Sequence, residues 1–172
     1  MVRLEPMSED EYQTYLSRTI PEYAAEHVRG GRWSPEEALE KSAEEYRGYL
    51  PQGLATPKQH LFSIKEETTG DSVGMLWFSE EQRGSGRTAF VYDVWIDERF
   101  RRRGYAEQAF QALERLAGDM GLQRIELHVF GHNQPARALY QKLGYAETNV
   151  IMAKTVAATS QGEGPGEGST LP

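Results

Sequence analysis

The chain predicts a mixed α/β (α+β) fold, a sheet with helices covering it. Three observations carry this. The first fifty residues hold capped, 3.6-periodic stretches. Residues 60–96 hold short alternating runs around turn signals. From residue 104 onward, helical and strand patterns alternate.

Ser8 and Glu11 form a capping box ahead of Tyr12, Tyr15 and Leu16. Pro21 is expected to interrupt this helix, with a second piece through "EYAAEHV" stopping at Gly30-Gly31. The next helix opens on "SPEE": Ser34 caps it, Pro35 takes its first position and Glu37 completes a box. Leu39, Ala43, Tyr46 and Leu50 are its expected apolar stripe. "PQGLATPKQ" reads as loop. "HLFSIKEE" (60–67) and "SVGMLWFS" (72–79) read as a hairpin around "TTGD", "EEQRGSGR" as a polar loop, and "TAFVYDVWI" (88–96) as a third strand.

A helix follows over about 104–119, burying Ala106, Ala109, Phe110, Leu113, Leu116 and Met120 and ending at Gly121. "QRIELHVF" (123–130) is read as a strand, "NQPARALYQKLG" (133–144) as a short helix and "TNVIMAKTV" (148–156) as a last strand. The final sixteen residues, 157–172, hold four Gly and two Pro without periodicity, the composition of a disordered tail. No repeat divides the chain, so residues 1–156 are expected to form one domain.

Composition excludes several chemistries. The chain of 172 residues has no cysteine, hence no disulfide, no cysteine nucleophile and no thiolate metal site. A net charge of −7 without a basic stripe argues against nucleic acid as partner. No apolar run approaches the roughly 20 residues that cross a bilayer, and "MVRLEPMSEDEY" has no signal core. A cytoplasmic protein is the expectation, and no metal site is indicated.

One stretch stands out. In "DERFRRRGYAEQAF" (97–110), Arg101, Arg102 and Arg103 run into Gly104 at a helix mouth. Free amides and the helix dipole make such a turn an anion site, and glycine lets a phosphate approach the backbone. The alternative is a turn glycine beside solubilising arginines. No nucleotide-triphosphatase or dinucleotide glycine motif is present.

Arg101, Gly104 and Ala106 fit [RQ]-x-x-G-x-[GA] between a strand and a helix, and Asn133 and Tyr140 stand seven apart in "HNQPARALYQKLGY". In both motifs, in order and spacing over about residues 60–156, the chain resembles the GNAT superfamily of acyl-CoA N-acetyltransferases. The resemblance implies a mostly antiparallel sheet with two splayed central parallel strands. It implies acetyl-CoA as co-substrate, with its pantetheine along the backbones of Val94, Trp95 and Ile96. Its pyrophosphate would lie on the amides of Arg101, Arg102, Arg103, Gly104, Tyr105 and Ala106, with Asn133 as a further contact. Residues 1–55 would form a helical substrate-side unit.

The implied reaction is direct attack of an amine on the thioester. Such an amine has a pKa of about 10.4 and must first lose a proton. Tyr140 matches the general acid toward the CoA sulfur, although Ala136, Leu139, Tyr140 and Leu143 also form a plain packing stripe. The base is open between His128 and Asp93, each of which has a structural reading as well. Asn133 is in any case a natural N-cap, His132 a loop residue, and Trp77, Phe78 and Trp95 either line an acceptor pocket or fill the core, with the core the expectation. A non-catalytic acyl-CoA-binding module of the same fold is the alternative function. The acceptor is expected to be a small-molecule or peptide amine. The acidic first fifty residues suit a cation or simply form a solvated face. A homodimer, frequent in the family, is specified by no residue.

Overall fold

The computed structural model describes residues 1–84 and 86–156. The expected tail therefore lies outside the described residues. Five strands form one sheet in the order β1 (Val2–Pro6), β2 (Gln59–Glu66), β3 (Ser72–Arg83), β4 (Gly86–Ile96) and β5 (Arg124–Leu127). The first four pair antiparallel and β4 pairs with β5 in parallel. Helices α1 (Glu9–Arg29) and α2 (Pro35–Tyr49) lie between β1 and β2 in the chain; α3 (Tyr105–Asp119) joins β4 to β5, and α4 (Gln134–Lys142) follows β5.

Alternation along β3 explains how one sheet serves two layers. Leu76 and Phe78 face α3 and meet its Ala109, Phe110 and Leu113. Met75 and Trp77 face the other way and meet Tyr12 and Tyr15 of α1. Phe110 and Leu113 are fully buried, each contributing about 2–3 kcal/mol by removal of apolar surface from water. Both expected capping boxes form, Ser8 with Glu11 and Ser34 with Glu37.

Five expectations are corrected. Pro21 does not divide the helix: α1 runs through it, because an exposed proline removes one hydrogen bond from a helix long enough to hold its packing. The buried stripe of α2 runs through Ala38 and Ser42, not Leu39, which is 55% exposed. Ser42 is tolerated inside because its hydroxyl donates to the Ile20 carbonyl at 2.8 Å. The polar segment 80–87 is mostly strand, since β3 and β4 extend their pairing to Arg83↔Gly86. The first residues are not all helical either, because β1 adds an edge strand through Val2↔Glu66 to Pro6↔Phe62. Finally, residues 148–156 form no strand: Ile151 is 95% and Met152 89% exposed. β5 offers only four residues as an edge, and an apolar alternation without a partner edge has no hydrogen bonds to gain.

Candidate active site

The centre of the site is an irregularity in β4. Pairing with β3 runs to Trp77↔Asp93 and resumes at Phe78↔Val91, leaving Tyr92 as an extra residue. Such a bulge bends its strand and releases backbone groups from the regular ladder. It also turns two successive side chains to one face. Tyr92 stacks on Trp77 with centroids 4.7 Å apart, while Asp93 accepts a hydrogen bond from the Tyr15 hydroxyl at 3.1 Å.

At the same point the sheet parts. β4 and β5 pair from Thr88↔Arg124 to Val91↔Leu127 and no further. β4 continues to Ile96, whereas the chain leaves the sheet after Leu127, short of the expected strand end at Phe130. Among the described residues, the edge of β4 from Tyr92 to Ile96 that β5 abandons has no strand partner. A cavity of about 150 Å³ occupies the opening, lined by residues 91–94, residues 127–130 and Asn133, Ala136 and Tyr140. Three of the sequence-derived candidates, Asp93, His128 and Tyr140, thus share one wall system.

Tyr140 is half-buried, with its ring edge-on to Phe110 at 5.3 Å. Burial raises its phenol above the ordinary value of 10, and the charge of Asp93 adds to this. It is therefore a proton donor at neutral pH. Burial also raises the carboxyl of Asp93; the Tyr15 hydrogen bond, the Arg18 charge and the Val94 amide oppose the rise. His128 is exposed, edge-on to Phe130 at 5.0 Å. Asn133 caps α4, its side chain accepting from the Ala136 amide at 3.3 Å. His132 lies in the exposed turn before it.

The arginine turn sits at the C-terminal end of β4. Arg102 has φ 64° and Gly104 φ 80°, so the chain alternates in hand on its way into α3. Gly104 is the N-cap and supplies no side-chain acceptor. Among the described residues, the amides from Arg102 to Ala106 meet no hydrogen-bond acceptor, which leaves a nest of donors at a helix N-terminus. A Cβ at Gly104 would meet only Gln108 Nε2, at 3.8 Å, so the mouth is open.

The three arginines do different things. Arg101 is turned back on its own loop: Nε donates to the Ile96 carbonyl at 3.0 Å, Nη1 to Glu98 at 3.2 Å, and its amide to the Glu98 carbonyl at 3.3 Å. Arg102 and Arg103 remain exposed, with the Arg103 guanidinium 5.6 Å from the Phe100 ring centre. Tyr105 packs its ring edge-on to Phe100 at 6.4 Å. Trp77 and Phe78 are core residues, as expected, at 2% and 0% exposure. Trp95 is half-buried and carries the Arg18 guanidinium 4.1 Å over its ring.

Two residues of α1 reach this site that the sequence did not single out. Tyr15 and Arg18 lie one turn apart and meet Asp93 and Trp95, two positions apart on β4. In the sequence Tyr15 stands out only as one of the residues that follow the Ser8–Glu11 capping box. Only its i, i+3 spacing to an arginine hinted at a polar task.

Residues 21–145 match the Acetyltransferase (GNAT) family. An uncharacterized N-acetyltransferase, YycN, of Bacillus subtilis (strain 168) is 43% identical over 89% of this chain and 97% of its own length. A second from the same organism, YdgE, is 35% identical over 88% of this chain and 96% of its own. The crystal structure of the Bacillus subtilis YycN protein, described as a putative acetyltransferase, superposes with a TM-score of 0.82 at 41% identity, covering 92% of this chain and all of that one. Among the described residues, no helix is long and apolar enough to cross a membrane.

Proposed function

Because the chain belongs to the Acetyltransferase (GNAT) family and is an acyl-CoA-dependent N-acetyltransferase, we propose that it moves the acetyl group of acetyl-CoA directly to a primary amine, with Asp93 as base and Tyr140 as acid. The observation that carries this reading is the single cavity in which the bulge, the parted strands and Tyr140 meet.

The pantetheine arm follows the abandoned edge of β4 at Val94 and Trp95, adding to the sheet as an extra strand. The pyrophosphate lies on the amides of Arg102 to Ala106. The thioester carbonyl then falls beside the bulge. A protonated acceptor amine entering from the α1–α2 side gives a proton to Asp93, directly or through water. The free amine attacks the carbonyl carbon, and the C–S bond breaks as the tetrahedral intermediate collapses. The phenol of Tyr140 protonates the departing thiolate, and the proton shed by the new amide nitrogen restores the phenol, directly or through water. Asp93 is preferred over His128 because it is withdrawn from solvent and fixed by Tyr15, whereas His128 lies exposed on the rim. Helices α1 and α2 form the acceptor side, and the remainder of the domain holds the co-substrate.

The test is a panel of amines followed by CoA release, run on the wild type and on Tyr140→Phe. The variant is expected to lose turnover by about 10²–10³-fold while acetyl-CoA still raises its melting temperature. An unchanged rate would remove the assignment of the acid.

A further inference from the structure

Asp93 does not stand alone behind the cavity. Tyr15 donates to it at 3.1 Å. One turn further along α1, the guanidinium of Arg18 lies 4.1 Å over Trp95, which is on the same face of β4 as Asp93. A helix rises about 1.5 Å per residue and a strand about 3.3 Å. Three residues of α1 and two of β4 therefore span similar distances, so the Tyr15–Asp93 and Arg18–Trp95 contacts run side by side and the Arg18 charge acts on the Asp93 carboxylate. Arg18 is 24% exposed and pairs through Nη1 with Glu22 at 2.8 Å. Its Nη2 is buried without a hydrogen-bond partner. A buried guanidinium nitrogen left unpaired is costly; here the faces of Trp95 and of Tyr15, 5.8 Å away, stand in for the missing acceptor. The arrangement keeps a positive charge close to Asp93 without letting it form a salt bridge that would occupy the carboxylate.

We propose that Arg18 and Glu22 of α1 form a charge regulator for Asp93, so that the substrate-side helix sets the pH range in which the base is ionised. The inference rests on the reading of Asp93 as base only for its catalytic consequence. Arg18 acts as a positioning residue; it does not reach the reacting atoms. The other titratable groups around Asp93 are Tyr15 on the same helix, Tyr46 on α2, Tyr140 on α4 and His128 across the cavity. The three phenols are held above their ordinary range, chiefly by burial, so they stay neutral while Asp93 titrates. Arg18 favours the carboxylate, and Glu22 opposes it.

The two regulator charges therefore predict shifts of opposite sign. The experiment follows the side-chain carboxyl carbon of Asp93 by NMR on the full chain as pH is raised, with the resonance assigned by its loss in Asp93→Asn. Arg18→Met is expected to raise the midpoint by about one pH unit, the low end for loss of a neighbouring opposite charge. Arg18→Lys, which keeps the charge, is expected to retain most of the wild-type midpoint. Glu22→Gln is expected to lower it by a few tenths of a unit, as for a partly solvated pair.

If Arg18 served packing alone, Arg18→Met would lower the melting temperature and leave the midpoint in place, which overturns the proposal. If that variant fails to fold, Glu22→Gln decides: its side chain is 59% exposed, and a midpoint that stays or rises overturns the proposal. Acetyl transfer by Asp93→Asn is measured separately. Full activity there would end the reading of Asp93 as base while leaving the regulator intact, so the two failures are distinguishable.

Discussion

Gly74 sits in β3 opposite Ile96, beneath the stretch of β4 on which acetyl-CoA is proposed to lie. A Cβ at this position would overlap the Trp95 carbonyl oxygen and would meet Ile96 Cδ1 at 3.0 Å and Ile96 Cα at 3.1 Å. Two of these three neighbours are backbone, which cannot rotate aside as a side-chain tip can. Gly74→Ala therefore forces the strands apart by about 1 Å to restore an ordinary non-bonded separation. Its neighbours Val73 and Met75 are 0% and 4% exposed, so the displacement has no solvent to move into. Overpacking of this kind costs about 2–3 kcal/mol, the upper part of its usual range, because main chain has to move. For a domain of this size that is a fall of about 6–10 °C in melting temperature. Urea unfolding of the two proteins measures the cost, and an acetyl-CoA titration of each measures the consequence. The displaced Trp95–Ile96 backbone is expected to weaken acetyl-CoA binding as well. A variant within about 0.5 kcal/mol of wild type, an ordinary surface effect, would refute the claim that the two backbones are in closest approach here.

Gly104→Ala is expected to cost the free protein about 1–2 kcal/mol, because a side chain is strained at φ 80°. It should weaken acetyl-CoA binding disproportionately, and equal binding by both proteins would remove the anion role of the turn. Saturating acetyl-CoA, at about 100 times its dissociation constant, is expected to stabilise the wild type by about 2.7 kcal/mol, read as a thermal shift; no shift would count against the proposed site. Burial raises the Glu11 carboxyl, but hydrogen bonds from Lys65 and the Ser8 amide outweigh it and hold the group at about 2, below the usual 4.5. A depressed carboxyl stabilises the fold above its unfolded value, and that stability is lost as pH falls from about 4.5 towards 2. Glu11→Gln should flatten the dependence of the urea midpoint across that window, and an unchanged slope would deny the role of the pair.

Local signals were the legible part. The two capping boxes, the glycine at the mouth of α3 and the Asn133 cap depend on residues within four positions of one another, and each forms as read. The centre of the buried face of α3, Ala109, Phe110 and Leu113, was legible for the same reason, whereas Ala106, Leu116 and Met120 are only partly buried and Ala112 and Ala117 are buried in addition. What stayed hidden depends on partners far along the chain. Strand β1 has five residues and becomes a strand only because β2 lies ready beside it. Conversely, residues 148–156 carry a strand-like alternation but find no edge. The face of α2 was misread because Ser42 is admitted to the interior by a carbonyl of α1 that its own helix cannot reveal. In the site, Asp93, His128 and Tyr140 were named in advance, and all three line the cavity. The bulge that presents Asp93 and the α1 residues that touch it were not readable, since both depend on register between segments up to 78 positions apart.

The parting of β4 and β5 has a consequence for the sheet itself. Proteins normally confine unpaired strand rims to the margins, where charge or a loop can cover them. Here a rim lies one strand in from the margin, on β4 where β5 stops pairing, flanked by β3 on one side and opening towards α4 on the other. Under the proposed function its occupant is the pantetheine arm, an extended chain that takes up the backbone groups of β4 as an added strand would.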